Sequence, residues 1–248
     1  MANNKRRRRL GAIVVLIGAI LLIVAAFIPW YTWQLKASFE GASVTGTIST
    51  YPGLPSQNGT IQTSYSCSNV PAGHCPSGTS SSYSKDYLNN TGQLAEAGFY
   101  MLIVGFVLGL IGGVIGLASG SNSRRAGPAI ALAIIAMILA VAAVGMFAGL
   151  LPNAIGKDSP GHTGDGPWSS FTGSTSNTTY LEFPATSTWG PGIGWYLTIG
   201  AFVVLVVGLV VLFAARKDPP EPAPVSVPAP TPTGMTTGTS SSATSTSP

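Results

Sequence analysis

The sequence predicts an all-α membrane protein, a four-transmembrane-helix bundle carrying a small antiparallel β-sheet formed by the extracellular loops. Three observations predict it. Of 248 residues, 46% are hydrophobic and only 8% charged, against about 25% charged in soluble domains. The apolar residues fall in four blocks, each near the ~20 residues needed to cross a bilayer. The basic residues cluster beside those blocks, and every cluster falls on the same side of the implied membrane.

Residues 1–9 are the basic cytoplasmic N-terminus, ending in Lys5, Arg6, Arg7, Arg8 and Arg9. Residues 10–30 form the first span, uncharged throughout. Signal-peptide cleavage is not expected. An h-region runs about 7–15 residues and ends in small residues, whereas this block is longer and ends in Phe27, Ile28, Pro29 and Trp30.

Residues 31–97 are the first extracellular loop, too long for a simple connection. Leu35, Ala37 and Phe39 alternate with Gln34, Lys36, Ser38 and Glu40, the period of a half-buried strand. After a turn at 40–42, residues 43–51 read as the returning strand and 60–67 as a third. Sheets this small are rarely stable alone, so the helices must complete the packing. Cys67 and Cys75 are the only cysteines and share this loop, which predicts a disulfide and an oxidising compartment.

Residues 98–118 form the second span and 119–127 a short cytoplasmic loop containing Arg124 and Arg125. The third span is 128–151. Residues 152–193 are the second extracellular loop, with one further strand expected at 176–183. The fourth span is 194–215, closed by Arg216 and Lys217. Residues 216–248, rich in Pro, Ser and Thr, read as a disordered cytoplasmic tail.

The three basic clusters place both termini in the cytoplasm of a multi-pass plasma-membrane protein. Aromatics mark the other side: Trp30, Tyr31, Trp33, Trp189, Trp195 and Tyr196 are expected to anchor at the outer headgroup level. Three acceptor sequons, at Asn58, Asn89 and Asn177, fall in the outer loops and are candidate glycosylation sites. The formal charge of +4 belongs to the span-flanking clusters, so a nucleic-acid partner is not expected.

Small residues recur at helix-packing spacing. Gly105, Gly109 and Gly113 form one row on the second span, and Gly112 and Gly116 another, extended by Gly120. Gly145 and Gly149 repeat the motif on the third span. The first span carries Gly11, Gly18 and Ala25, and Ala12, Ala19 and Ala26, each at intervals of seven. Such rows let backbones approach within lipid. They predict packing inside one bundle, with a homo-oligomer as the alternative.

None of the four spans contains an internal Asp, Glu, Lys, Arg or His, which argues against proton relays and ion pathways. His74, His162 and the two cysteines are the one group that resembles a metal set, but seven residues separate Cys67 from Cys75, unlike a zinc knuckle. No nucleophile elbow, P-loop or dinucleotide fingerprint is present. No catalytic, cofactor-binding or metal residues are therefore assigned, and no cofactor. Residues 31–93 carry twenty Ser or Thr and only Lys36, Glu40, Lys85 and Asp86 as charges. Glycan-bearing and acid-exposed surfaces both fit such a composition.

In layout the chain resembles the claudin-like tetraspan superfamily. The residues that carry the resemblance are Trp30 at the outer end of span one and the close pair Cys67 and Cys75 in a strand-forming first loop. The resemblance implies that both loops build one β-sheet above the bundle, used for lateral and cell–cell association. The expected function is that of a non-enzymatic structural, adhesion or scaffold component acting through its extracellular loops. The alternative is an accessory subunit of a respiratory, transport or secretion complex. Expected partners are membrane lipid and other membrane or envelope proteins, including further copies of the chain.

Overall fold

The computed structural model describes residues 2–39, 42–51, 60–70, 75, 79–82, 89–119, 123–161, 164–180 and 183–215. Among them are four helices long and apolar enough to cross a membrane: α1 Ala2–Ala25, α2 Asn89–Ala118, α3 Ser123–Asp158 and α4 Ile193–Ala214. Six strands accompany them: β1 Tyr31–Phe39, β2 Ala42–Thr50, β3 Thr60–Ser68, β4 Thr79–Ser82, β5 Gly173–Tyr180 and β6 Phe183–Pro191. The tail expected at 216–248 lies outside the described residues.

Each helix packs chiefly on two neighbours, in the cyclic order α1, α2, α3, α4, with α1 closed against α4. The helix α1 ends where Pro29 forbids continuation, since proline lacks an N–H and disfavours helix in the residue before it. Its last carbonyls are satisfied locally: the Trp30 indole donates from Nε1 to the Ala25 oxygen at 2.8 Å.

Three helices exceed the expected spans: α1 begins at Ala2 within the basic segment and stops at Ala25, α2 begins at Asn89, and α3 runs from Ser123 to Asp158. The first turns of α2 are the polar run 89–93, which hydropathy does not register, and α3 continues through Pro152 to Asp158. Both extensions have one cause. The Asp158 carboxylate accepts the backbone N–H groups of Asn90 and Thr91 at 2.9 and 2.7 Å, and the Asn90 side-chain amide at 2.7 Å. First-turn N–H groups have no partner within their own helix, so the end of α3 caps the start of α2.

Glycines set the closeness of the bundle. A Cβ at Gly109 would lie 2.9 Å from the Ala19 Cβ, at Gly116 3.0 Å from the Ala12 Cβ, and at Gly113 2.5 Å from Leu16. Gly105 meets Leu22 at 3.4 Å, and Gly112 meets the Ala129 oxygen of α3 at 3.0 Å. On the other flank of α1, Gly18 meets Leu205 at 2.8 Å, while Gly208 of α4 meets Val15 at 2.8 Å. Helix α1 is thus gripped by small residues on two sides.

Gly145 and Gly149 do not share this role. A Cβ at either would meet nothing within 4 Å. The inward face of α3 is instead Ala129, Ala133, Ala136, Ala140, Ala143 and Phe147, all buried and spaced alternately by three and four, which leaves both glycines on the opposite side.

All strand pairs are antiparallel, in the order β4-β3-β2-β1-β6-β5. The first loop supplies β1 to β4 and the second supplies β5 and β6, joined where β1 pairs with β6. The strands anticipated in the first loop are present, with β4 in addition. The single strand expected at 176–183 is instead parts of two strands, because Tyr180 pairs with Phe183 in a hairpin. The Cys67–Cys75 disulfide is formed, with an S–S distance of 2.01 Å.

A candidate interaction surface and the junction beneath it

Alternation along the strands sorts the sheet into two faces. On one face the register brings together Ser64, Thr47, Gln34, Thr188 and Ser174 in a row across five strands. A second row runs Ser66, Thr45, Lys36, Thr186. The β1, β3 and β6 members of both rows are exposed, and those of β2 half-exposed. This face offers hydroxyls and amides at strand spacing with Lys36 as the one charge in either row. It can donate and accept hydrogen bonds over a broad area.

The other face carries Trp33 opposite Trp189, Leu35 opposite Ser187 and Ala37 opposite Ala185. Trp189, Ser187 and Ala185 are buried. The Trp33 indole donates to the Ser187 hydroxyl at 2.6 Å, and the Trp189 indole to the Ser170 oxygen at 3.0 Å. The segment before β5 inserts Phe171 against Tyr31 of the sheet, Phe147 of α3 and Trp195 of α4, with ring centroids 5.7, 6.5 and 5.7 Å away. Burial pushes the Tyr31 phenol well above its ordinary value, because the ionised form would lose its solvation, and its hydroxyl has no hydrogen-bond partner among the described residues.

Trp30 lies at the root of this junction. It is fully buried, edge-on to Phe147 at 5.2 Å. Its backbone N–H donates to the Thr50 oxygen at 2.9 Å, and its own oxygen accepts the Gly192 N–H at 2.8 Å. The Gly194 N–H donates to the Pro29 oxygen at 2.9 Å. This approach is too close for a side chain: a Cβ at Gly192 would overlap the Pro29 oxygen, and one at Gly194 would lie 2.6 Å from the Ile28 oxygen. At the opposite end of the bundle the buried Arg8 donates from Nε to the Ala215 oxygen at 3.1 Å, a cation at a helix C-terminus. The pair α1 and α4 is therefore tied at both ends.

The aromatic residues expected as headgroup anchors divide. Trp30, Tyr31 and Trp189 are 0%, 3% and 6% exposed, so they fill the chain's own core and are not available as anchors. Trp33 and Trp195 are half-buried, and the Trp195 indole donates to the Val144 oxygen at 3.4 Å. Tyr196, 58% exposed, points outward. Position along the chain locates an aromatic at a span end but not on which side of the backbone it lies, and the space between sheet and helices is filled by the buried rings. Asn89 opens α2 and Asn177 lies in β5, while Asn58, His74 and His162 fall outside the described residues. Among the described residues no three His, Cys, Asp or Glu side chains come together.

Several residues that organise this region were not singled out from sequence: Asp158, Phe171, Ser187, Gly192, Gly194 and Gly208. The alternation of glycine at 190, 192 and 194 around Pro191 is the one signal that marked a close approach in advance. No protein-family model matches the chain, and no curated protein matches it.

Proposed function

We propose that the chain is a multi-pass plasma-membrane protein that serves as a non-enzymatic structural and adhesion component, through a sheet standing outside the cell. The observation that carries this reading is the hydroxyl face. It is broad, exposed and nearly uncharged, so it suits hydrogen bonding to a polar envelope surface, with an attraction that salt screens little. The disulfide supports an oxidising location for the sheet. The basic residues Arg6, Arg7, Arg8 and Arg9 lie at the far end of α1 from the sheet, which supports a cytoplasmic N-terminus. The same orientation supports a cytoplasmic end for α4. The joint sheet made by both loops agrees with a claudin-like tetraspan architecture, and we extend that resemblance to lateral and cell–cell association.

The test is to replace Thr45, Thr47 and Thr188 together by Glu, and to measure retention of the purified protein on isolated cell envelopes. Retention should fall sharply in the triple variant while the disulfide and thermal stability persist. Unchanged retention would remove the hydroxyl face from the function.

A second reading, an accessory subunit of a larger membrane complex, draws on Gly145 and Gly149, which none of the described helices covers. Purification in mild detergent with mass measurement separates the two, since a subunit brings unrelated partners in fixed ratio.

A further inference from the structure

Between the first turns of α2 and the last turns of α3 lies a groove of about 300 Å³. Its upper wall is polar: Asn90, Gln93, Asn153 and Lys157. Leu94 and Ala154 lie at the depth of Gln93 and Asn153, and about one turn lower the lining is Ala97 and Leu150 alone. From Asn90 to Ala97, and from Lys157 to Leu150, the change of character takes seven residues, about 10 Å of helix axis. Among the described lining residues Lys157 is the one charged group. The neighbouring carboxylate, Asp158, has its oxygens engaged by the Asn90 and Thr91 donors, and the same contact orients the Asn90 amide.

Below the groove the surface remains apolar. Leu150 is 51% exposed, and Tyr100, Val104, Val107, Ile111 and Val114 form an exposed stripe along α2, spaced by three and four. A polar, singly cationic head end continuous with an uninterrupted apolar track has the grading of a lipid molecule. A soluble anion would use only the upper third of it.

We propose that this groove holds one anionic phospholipid of the sheet-side leaflet. Its phosphate is received by the Lys157 ammonium with the Asn153 amide beside it, and an acyl chain lies over Leu94, Ala97 and Leu150. The inference rests on the reading of the chain as membrane-inserted. It adds a lipid of defined charge at a defined place.

The experiment is native mass spectrometry of the whole chain in mild detergent, after exchange into equimolar phosphatidylglycerol and phosphatidylcholine. The parent protein should retain one phosphatidylglycerol per chain in preference to phosphatidylcholine. Lys157→Gln should lower that retention about fivefold, the size of one basic residue's attraction to an anionic lipid. Leu94→Trp, which fills the apolar part, should abolish it. Equal retention of both lipids, or of phosphatidylglycerol by the parent and Lys157→Gln, overturns the proposal, as does displacement of the lipid by inorganic phosphate alone. Alkaline extraction of membranes distinguishes the two levels. A chain released by alkali defeats the membrane reading itself, whereas a chain that resists alkali and retains no lipid defeats this inference only.

Discussion

The Thr91 backbone N–H donates to Asp158 Oδ2 at 2.7 Å, so that a residue at the end of one helix caps the beginning of another. An acid at a helix start also opposes the positive end of the helix dipole. Asp158→Ala should lower stability by about 1 kcal/mol, the usual cost of losing a cap. Asp158→Asn, which keeps one acceptor oxygen, should lose less. Thermal melting in detergent measures both, and equal melting of Asp158→Ala and the parent would show that the contact contributes nothing.

Helix packing gives a contrast inside one residue type. Gly109→Leu forces a bulky side chain between α2 and Ala19 of α1, and overpacking of this kind costs about 1–3 kcal/mol. Gly145→Leu adds its side chain to an open surface and should leave the melting temperature unchanged. Should Gly145→Leu instead abolish a dimer or partner band while the chain stays folded, the outer side of α3 is an interface.

The glycines before α4 differ in the same way. Gly194→Ala places a methyl against the Ile28 oxygen and the Trp30 ring, each 2.6 Å away, and should cost about 1–3 kcal/mol. Gly200→Ala meets nothing within 4 Å and should be neutral or slightly stabilising, since alanine favours helix by up to about 1 kcal/mol. Similar melting of the two variants would mean that the junction at Trp30 yields easily.

The disulfide is open to two measurements. In intact cells without reductant, a membrane-impermeant maleimide should label neither Cys67 nor Cys75. Cys67→Ser should destabilise the sheet by about 2–3 kcal/mol, from the loop-closure entropy of a bridge spanning eight residues. Efficient labelling of both thiols contradicts the formed bridge in the cell.

The order and number of the helices were legible because apolar length is a one-dimensional property, and four blocks could be counted directly. Strands β1 to β3 were legible for a similar reason: alternation such as Leu35, Lys36, Ala37, Ser38 declares its own period. The limits of α2 and α3 were not, because they depend on Asp158 finding Asn90 and Thr91, a contact between residues 67 and 68 positions apart. The glycine rows of α2 could be read as packing, since they lie on a helix with two close neighbours. The same spacing in Gly145 and Gly149 carried no information on which side of α3 faces inward. The aromatics failed in the same manner, since Trp30 and Tyr196 both flank spans and only Trp30 turns in among the helices.

The pairing of β1 with β6 has a mechanical consequence. Each of these strands continues almost directly into a helix, β1 from α1 and β6 into α4, and those helices are held together again by Arg8 at the far end. A pull on the sheet is therefore carried in shear along the β1–β6 ladder and down the α1–α4 pair. The helices α2 and α3 adjoin in sequence the edge strands β4 and β5 of the same sheet. The chain is built as a stiff two-helix mast bearing a sheet, with a second helical pair leaning against it.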